Sequence, residues 1–137
     1  MNLHEYQAKE LLASYGVPIQ RGVVVEDIKD LDSAVAKLKE ETGTDWCVIK
    51  AQIHAGGRGK GGGVKLAKNM AEVKEHANNI LGMMLKTPQT PGGLDGMGKL
   101  VRKILITEDV YLPNADGEMD LNEFYYSILM DRERKCN

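Results

Sequence analysis

Apolar residues along this chain recur with two periods, and the switches between them lay out the elements. Leu3, Tyr6, Leu11 or Leu12 and Tyr15 fall at helical intervals over residues 2–15. Asn2 with Glu5 three residues on has the spacing of a capping box, and Gly16 then Pro18 form a stop. Such a cap contributes only about 1 kcal/mol, so this helix needs something to dock against. Residues 22–25 (Gly-Val-Val-Val) read as a short β-branched strand. Asp30 or Asp32 opens a second helix to about Glu41, with Leu31, Val35 and Leu38 on one face and Gly43 at its end. Residues 47–51 (Cys-Val-Ile-Lys-Ala) form a buried-type strand, and 64–67 (Val-Lys-Leu-Ala) another. Asn69 with Glu72 repeats the capping-box spacing and opens a helix to about Leu81, closed by Gly82.

Beyond that helix the pattern loosens. Residues 83–98 hold Pro88, Pro91 and several glycines, a loop long enough to be functional or mobile. Residues 99–107 read as a strand, 111–122 as a polar connection with Pro113 and Gly117, and 123–130 as a strongly apolar strand. A polar turn at 131–135 follows, and the chain stops where a return strand should begin. An apolar edge strand without a partner invites aggregation, so a fragment of a longer protein is expected. The plainer alternative pairs that strand with an earlier element. Strands alternating with helices indicate an α+β (α/β-type) fold, a mixed sheet with packed helices.

Composition narrows the class. At 137 residues the chain suits one domain, able to bury roughly two-thirds of the surface its unfolded form exposes. A hydrophobic fraction of 42% with 28% charged residues is that of an ordinary globular protein. Five Tyr, one Phe and one Trp are few rings for a single-strand nucleic-acid platform. Cys47 and Cys136 have neither metal-type spacing nor the number for a disulfide framework, and Cys47 lies in an apolar run as a small core residue. The N-terminus has no basic and apolar leader pattern and no apolar run approaches the roughly 18 residues of a membrane span. A cytoplasmic protein without membrane contact is the expectation.

Charge is unevenly placed. Residues 46–71 carry Lys50, Arg58, Lys60, Lys65 and Lys68 and no acid, so the 13 cations elsewhere face all 20 acids. Six glycines stand between 56 and 63 within this basic stretch. A basic loop in an acidic body suits a compact anion better than a long polyanion. Gly57, Gly59 and Gly62 spell G-x-G-x-x-G, but a short strand follows rather than a helix, which excludes a dinucleotide fingerprint. Lys60 is followed by Gly61 rather than Ser or Thr, which excludes a P-loop. Strand, glycine flap and strand remain. Glycines admit φ > 0 and let backbone N–H groups approach phosphate oxygens closely. Gly57 through Val64 has the G-x-G-x-x-G-x-V spacing of the kinase phosphate flap, but here the best-placed lysine, Lys50, precedes the flap. Lys60 and Lys65 read as solvated flap charges and His54 as a loop or packing residue. A flexible hairpin with incidental lysines is the bland alternative. Glu108 with Asp109 ends a strand, where a nucleotide site would place its hinge.

Two stretches carry a resemblance. Met1-Asn2-Leu3-His4-Glu5-Tyr6-Gln7-Ala8-Lys9-Glu10-Leu11-Leu12 with Tyr15-Gly16-Val17-Pro18, and Lys50-Ala51-Gln52-Ile53-His54-Ala55-Gly56-Gly57-Arg58-Gly59-Lys60, closely resemble the start of the β subunit of the succinyl-CoA synthetase (succinate–CoA ligase) family. The resemblance implies the N-terminal part of an ATP-grasp domain. Residues 1–21 would be the entry helix and segment, 22–107 a sheet-and-helix subdomain with the flap at 50–65, and 108–137 the start of a second subdomain. It implies a reaction of Mg-nucleotide (ATP or GTP), succinate and coenzyme A, passing through a phosphohistidine on an α subunit. Lys50 matches the phosphate lysine, Gly57, Arg58 and Gly59 the closing loop, Glu108 the hinge acid with Tyr111 as its neighbour, and Glu123 a further nucleotide-site acid. Magnesium ligands are expected beyond residue 137, so this chain would hold half a nucleotide site and no catalytic residue of its own. Two alternatives stay open: a related ligase for another acid such as malate or citrate, and a non-catalytic module gripping RNA or another polyanion.

Overall fold

The computed structural model describes residues 2–110, 126–128, 131 and 133–135. In chain order these form α1 (Glu5–Ser14), β1 (Gly22–Val25), α2 (Leu31–Thr42), β2 (Cys47–Ala51), β3 (Val64–Ala67), α3 (Met70–Ile80), β4 (Met84–Leu85), β5 (Lys99–Leu100) and β6 (Ile104–Glu108). The strands expected at 22–25, 47–51 and 64–67 are present with those bounds. The strand expected over 99–107 divides. β5 turns back to pair β4, and β6 enters the main sheet.

The main sheet has the order β1-β6-β2-β3, with every neighbouring pair antiparallel. β1 and β2 therefore run the same way, and β6, the last strand described, fills the slot between them. Val24 pairs Leu105 on one side of β6, and Ile49 pairs Ile106 on the other. Ile104, Leu105, Ile106 and Thr107 are all buried, as a central strand covered on both faces requires.

Helices α2 and α3 share one apolar core with this sheet. Leu31, Ala34 and Leu38 from α2 and Val73, Ala77 and Ile80 from α3 pack with Val25, Ile49, Ile104 and Ile106. Each Leu, Ile and Val among them contributes roughly 1.5–3 kcal/mol by leaving water. Both helices end as the glycines suggest. Gly43 takes φ 73 and its N–H donates to the Lys39 carbonyl, while Gly82 takes φ 87 and donates to Val101. Asn69 caps α3, its Oδ1 accepting from the Glu72 N–H at 3.0 Å, and the Glu72 carboxylate accepts from the Lys68 N–H in return. Cys47 lies buried in this core, and burial, then the nearby Asp45 charge, pushes its thiol pKa up.

Strand period two gives β2 two different faces. Cys47, Ile49 and Ala51 enter the core, so Val48 and Lys50 face the opposite side of the sheet. There α1 docks, but not as its apolar spacing suggests. No residue of α1 is buried, and Leu11, Leu12 and Tyr15 are 51%, 48% and 81% exposed. The N-cap also moves from Asn2 to His4, whose N–H donates to Gln7 Oε1 at 2.9 Å. Glu5 is thereby freed from capping.

The 83–98 stretch is largely ordered as a support. Besides β4 it carries a turn in which Thr90 Oγ1 donates to the Thr87 carbonyl and a 3-10 turn at Gly93–Asp95. Of the strand expected at 123–130, Tyr126, Ser127 and Ile128 are described, exposed and in no strand; the remainder lies outside the described residues. The polar turn at 131–135 is seen in part, with Asp131 Oδ1 accepting from the N–H groups of Glu133 and Arg134.

Candidate functional site

Lys50 leaves β2 on the α1 side and meets the first turn of that helix. Its Nζ donates to Gln20 Oε1 at 2.8 Å and to Glu5 Oε1 at 3.3 Å. Lys9, one helical turn from Glu5, reaches both acceptors too, at 3.0 Å and 3.3 Å. Arg58, on the glycine loop, donates through Nη2 to Glu5 Oε2 at 2.8 Å and through Nη1 to the Ala51 carbonyl at 2.6 Å. One carboxylate is therefore shared by three cations, all four side chains mostly shielded from water, and a surplus of two positive charges remains.

The electrostatics follow. Burial, the largest single effect on Glu5, pushes its pKa up; the hydrogen bond from Arg58 and the charges of Lys50, Arg58 and Lys9 outweigh it and hold the carboxyl at about 2. Burial, then the repulsion of Lys50, lowers Lys9. Beside this cluster His4 stacks on His54, centroids 3.9 Å apart and planes within 17°. Burial, then the charges of His54, Lys103 and Arg58, lowers the His4 pKa. His54 thus stays exposed in the loop, with its ring stacked on His4.

The loop itself, residues 52–63, joins β2 to β3 and is closed at its base by Ala51 N–H to Gly63 O at 2.7 Å and Gly63 N–H to Arg58 O at 2.8 Å. Gly61 and Gly62 donate back to the carbonyls of Gly57 and Gly59. The carbonyls of Gly57, Arg58 and Gly59 are therefore used, whereas their N–H groups donate to nothing among the described residues. Gly57 needs its φ of 73, and a Cβ on Gly61 would overlap the Lys86 carbonyl. Gly59 meets nothing within 4 Å. Gln89 Oε1 accepts from the Gly56 N–H at 2.8 Å, so the 83–98 stretch buttresses the loop. A cleft of about 640 Å³ opens between the N-terminal segment and this loop, with Asn2, Glu5, His54, Gly57, Arg58 and Gln89 in its walls. Lys50 does not line that cleft and borders it through Glu5.

Of the residues singled out from sequence, Lys50, Gly57, Arg58 and Gly59 come together here. Glu108 joins them indirectly. Its carboxylate accepts from the Arg21 N–H at 2.6 Å, and its carbonyl accepts from Gln20 Nε2 at 2.6 Å, on the amide whose oxygen holds Lys50. Tyr111 and Glu123 lie outside the described residues. Lys60 and Lys65 are exposed, as solvated charges should be. Sequence reasoning missed Glu5 and Gln20. The available signal was the unbalanced charge of 46–71, which calls for a counter-anion from elsewhere in the chain.

A scan of family models decides the class. The model described as an ATP-grasp domain matches residues 2–137. The chain belongs to the ATP-grasp family. Among curated proteins, this ATP-grasp chain is 58% identical over 132 residues to the β subunit of succinate–CoA ligase [ADP-forming] of Flavobacterium johnsoniae, covering 96% of this chain and 32% of the relative. It is 57% identical to the protein of the same name from Flavobacterium psychrophilum over its full length, and 48% identical to that of Salinibacter ruber, covering 33% and 32% of those relatives. The chain thus spans about a third of the length of these relatives. Among the described residues no helix is long and apolar enough to cross a membrane, and no cluster of three or more His, Cys, Asp or Glu could hold a metal ion.

Proposed function

We propose that this ATP-grasp chain binds the phosphates of a nucleoside triphosphate, ATP or GTP, and belongs to the β subunit of a succinate–CoA ligase. The carrying observation is the cluster at the end of β2: a surplus of two positive charges over its four side chains, beside three loop amides with no acceptor among the described residues. A polyphosphate offers the acceptors and the negative charge that both lack. Lys50 serves as the fixed ammonium, held from the strand, and the N–H groups of Gly57, Arg58 and Gly59 approach phosphate oxygens as glycine-rich nests do. Glu108 stands at the strand end where base and ribose would lie, with Tyr111 and Glu123 as further nucleotide contacts. Phosphoryl transfer needs little covalent help from protein; positioning and charge stabilisation supply the rate.

The choice of succinate and coenzyme A follows the names of these relatives, which are β subunits; the α-subunit partner, the phosphohistidine route and the division at residues 21 and 107 are what the resemblance of residues 1–18 and 50–60 implies. Magnesium would accompany the nucleotide and neutralise part of the phosphate charge; among the described residues no cluster of three or more His, Cys, Asp or Glu would hold it. Titration calorimetry of the chain with ATP tests the core of the reading. Wild type should bind, and Lys50→Ala should lose about tenfold or more in affinity, the scale of one charge-assisted phosphate contact. Equal binding by the variant removes Lys50 from the site. Turnover of succinate, coenzyme A and ATP by the full-length β subunit with its α partner, with malate and citrate as competitors, tests the substrate.

A further inference from the structure

We infer that Glu5 is a positioning residue of the phosphate site: its carboxylate latches the base of the glycine loop, through Arg58, to helix α1 and to Lys50. The inference rests on the phosphate reading above and concerns what holds that site in shape. Arg58 has both terminal nitrogens engaged, Nη1 at the Ala51 carbonyl and Nη2 at Glu5 Oε2, so its guanidinium is an anchor rather than a free phosphate ligand. Its own carbonyl accepts from Gly63. The side chain of Arg58 therefore ties the loop to the end of β2, and its backbone ties it to Gly63 at the entry to β3. The second oxygen of Glu5 holds Lys50 at 3.3 Å, which sets the strand cation at a fixed place relative to the loop.

Such a latch matters because of what the loop is made of. Glycines lose more conformational freedom on ordering than any other residue, and six stand in eight positions here. A loop already closed at its base loses less on binding, which is preorganisation. The latch also leaves the site charged, since Glu5 neutralises one of three cations. Geometry and bare charge now predict opposite signs. Removing a carboxylate from beside a phosphate site tightens anion binding if charge alone decides, and weakens it if the carboxylate positions the loop.

The test uses ATP with magnesium, and inorganic tripolyphosphate, as probes of the 137-residue chain by titration calorimetry at fixed ionic strength. Circular dichroism verifies folding of each variant. Glu5→Gln should weaken both probes about five- to tenfold, the cost of ordering one or two further side chains and loop residues. Arg58→Gln should do the same, and the double variant should lose no more than either single, because both break one latch. Backbone relaxation of the Gly57 and Gly59 amides should report a more mobile loop in each. Glu5→Asp, a carboxylate one carbon shorter, should fall between wild type and Glu5→Gln. It also reads the latch, with Arg58→Gln, if Glu5→Gln does not fold. Unchanged or tighter binding by a folded Glu5→Gln, or additive losses in the double variant, overturns the latch. If wild type binds neither probe, or Lys50→Ala binds as wild type does, the phosphate reading falls and the latch with it. Lost binding in Lys50→Ala with intact binding in Glu5→Gln overturns the latch alone.

Discussion

Two residues give the site its acid response, and two glycines divide the loop between fold and ligand. Glu5 titrates at about 2 in the folded chain against an ordinary 4.5. Its contribution is present above pH 4.5 and fades as pH falls toward 2. The gap corresponds to about 3 kcal/mol in isolation, and solvent screening of the exposed part reduces it to about 1–2 kcal/mol. His4, lowered from 6.5, also favours the folded state more above its unfolded value than below it, so stability should begin to fall below pH 6.5. Thermal melts across pH should show an upper and a lower acid phase, and Glu5→Gln should shrink only the lower one, to which Asp27 and Glu72, both lowered, also contribute. A lower phase unchanged in that variant removes Glu5 as one of its sources. Among the glycines, Gly61→Ala should cost about 1–3 kcal/mol by overpacking against the Lys86 carbonyl. Gly59→Ala should leave the melt within about 0.5 kcal/mol, because open space surrounds it. If it nevertheless weakens ATP, Gly59 serves the ligand rather than the fold.

At the scale of elements, what the sequence made legible was local and what it hid was relational. The strands at 22–25, 47–51 and 64–67 are runs of adjacent β-formers bounded by glycines or polar turns, and local patterning suffices for them. The two capping boxes show where such patterning stops. Asn69 caps α3 as expected, while the Glu72 carboxylate reaches back one residue further, to the Lys68 N–H, and Asn69→Ala should lower stability by about 1 kcal/mol in denaturant melts. A loss near zero would mean that packing alone holds α3. Asn2 and Glu5 have the same spacing and form no cap, because the carboxylate of Glu5 has stronger partners 45 and 53 residues away. Spacing cannot weigh a cap against a distant ion pair. For the same reason β6 between β1 and β2 was out of reach: the alternation of strands and helices names neighbours in sequence, and this sheet joins strands across them. Of the site, the loop and its cations were legible as a charge anomaly, while the acid and amide that organise them were not.

The whole molecule is unequal in how its parts are held. The sheet, α2 and α3 share an apolar core with Ile49, Ile104 and Ile106 at zero exposure. Helix α1 buries no residue and is joined to the sheet through Glu5, Lys9 and Gln20. Polar contacts of this kind contribute about 1–3 kcal/mol each when charge-assisted and shielded, whereas the core elements rest on many side chains of similar worth. Local opening should therefore release α1 well below the free energy of global unfolding. Hydrogen exchange should find the amides of α1 far less protected than those of Ile49 and Ile106, with the gap widening in Glu5→Gln. ATP should raise protection across α1 and the 52–63 loop together, because both meet at Glu5 and Arg58. Protection of α1 matching the central strands without ligand would show that its docking is not polar in origin. A rise confined to the loop would show that the helix and the phosphate site are not mechanically joined.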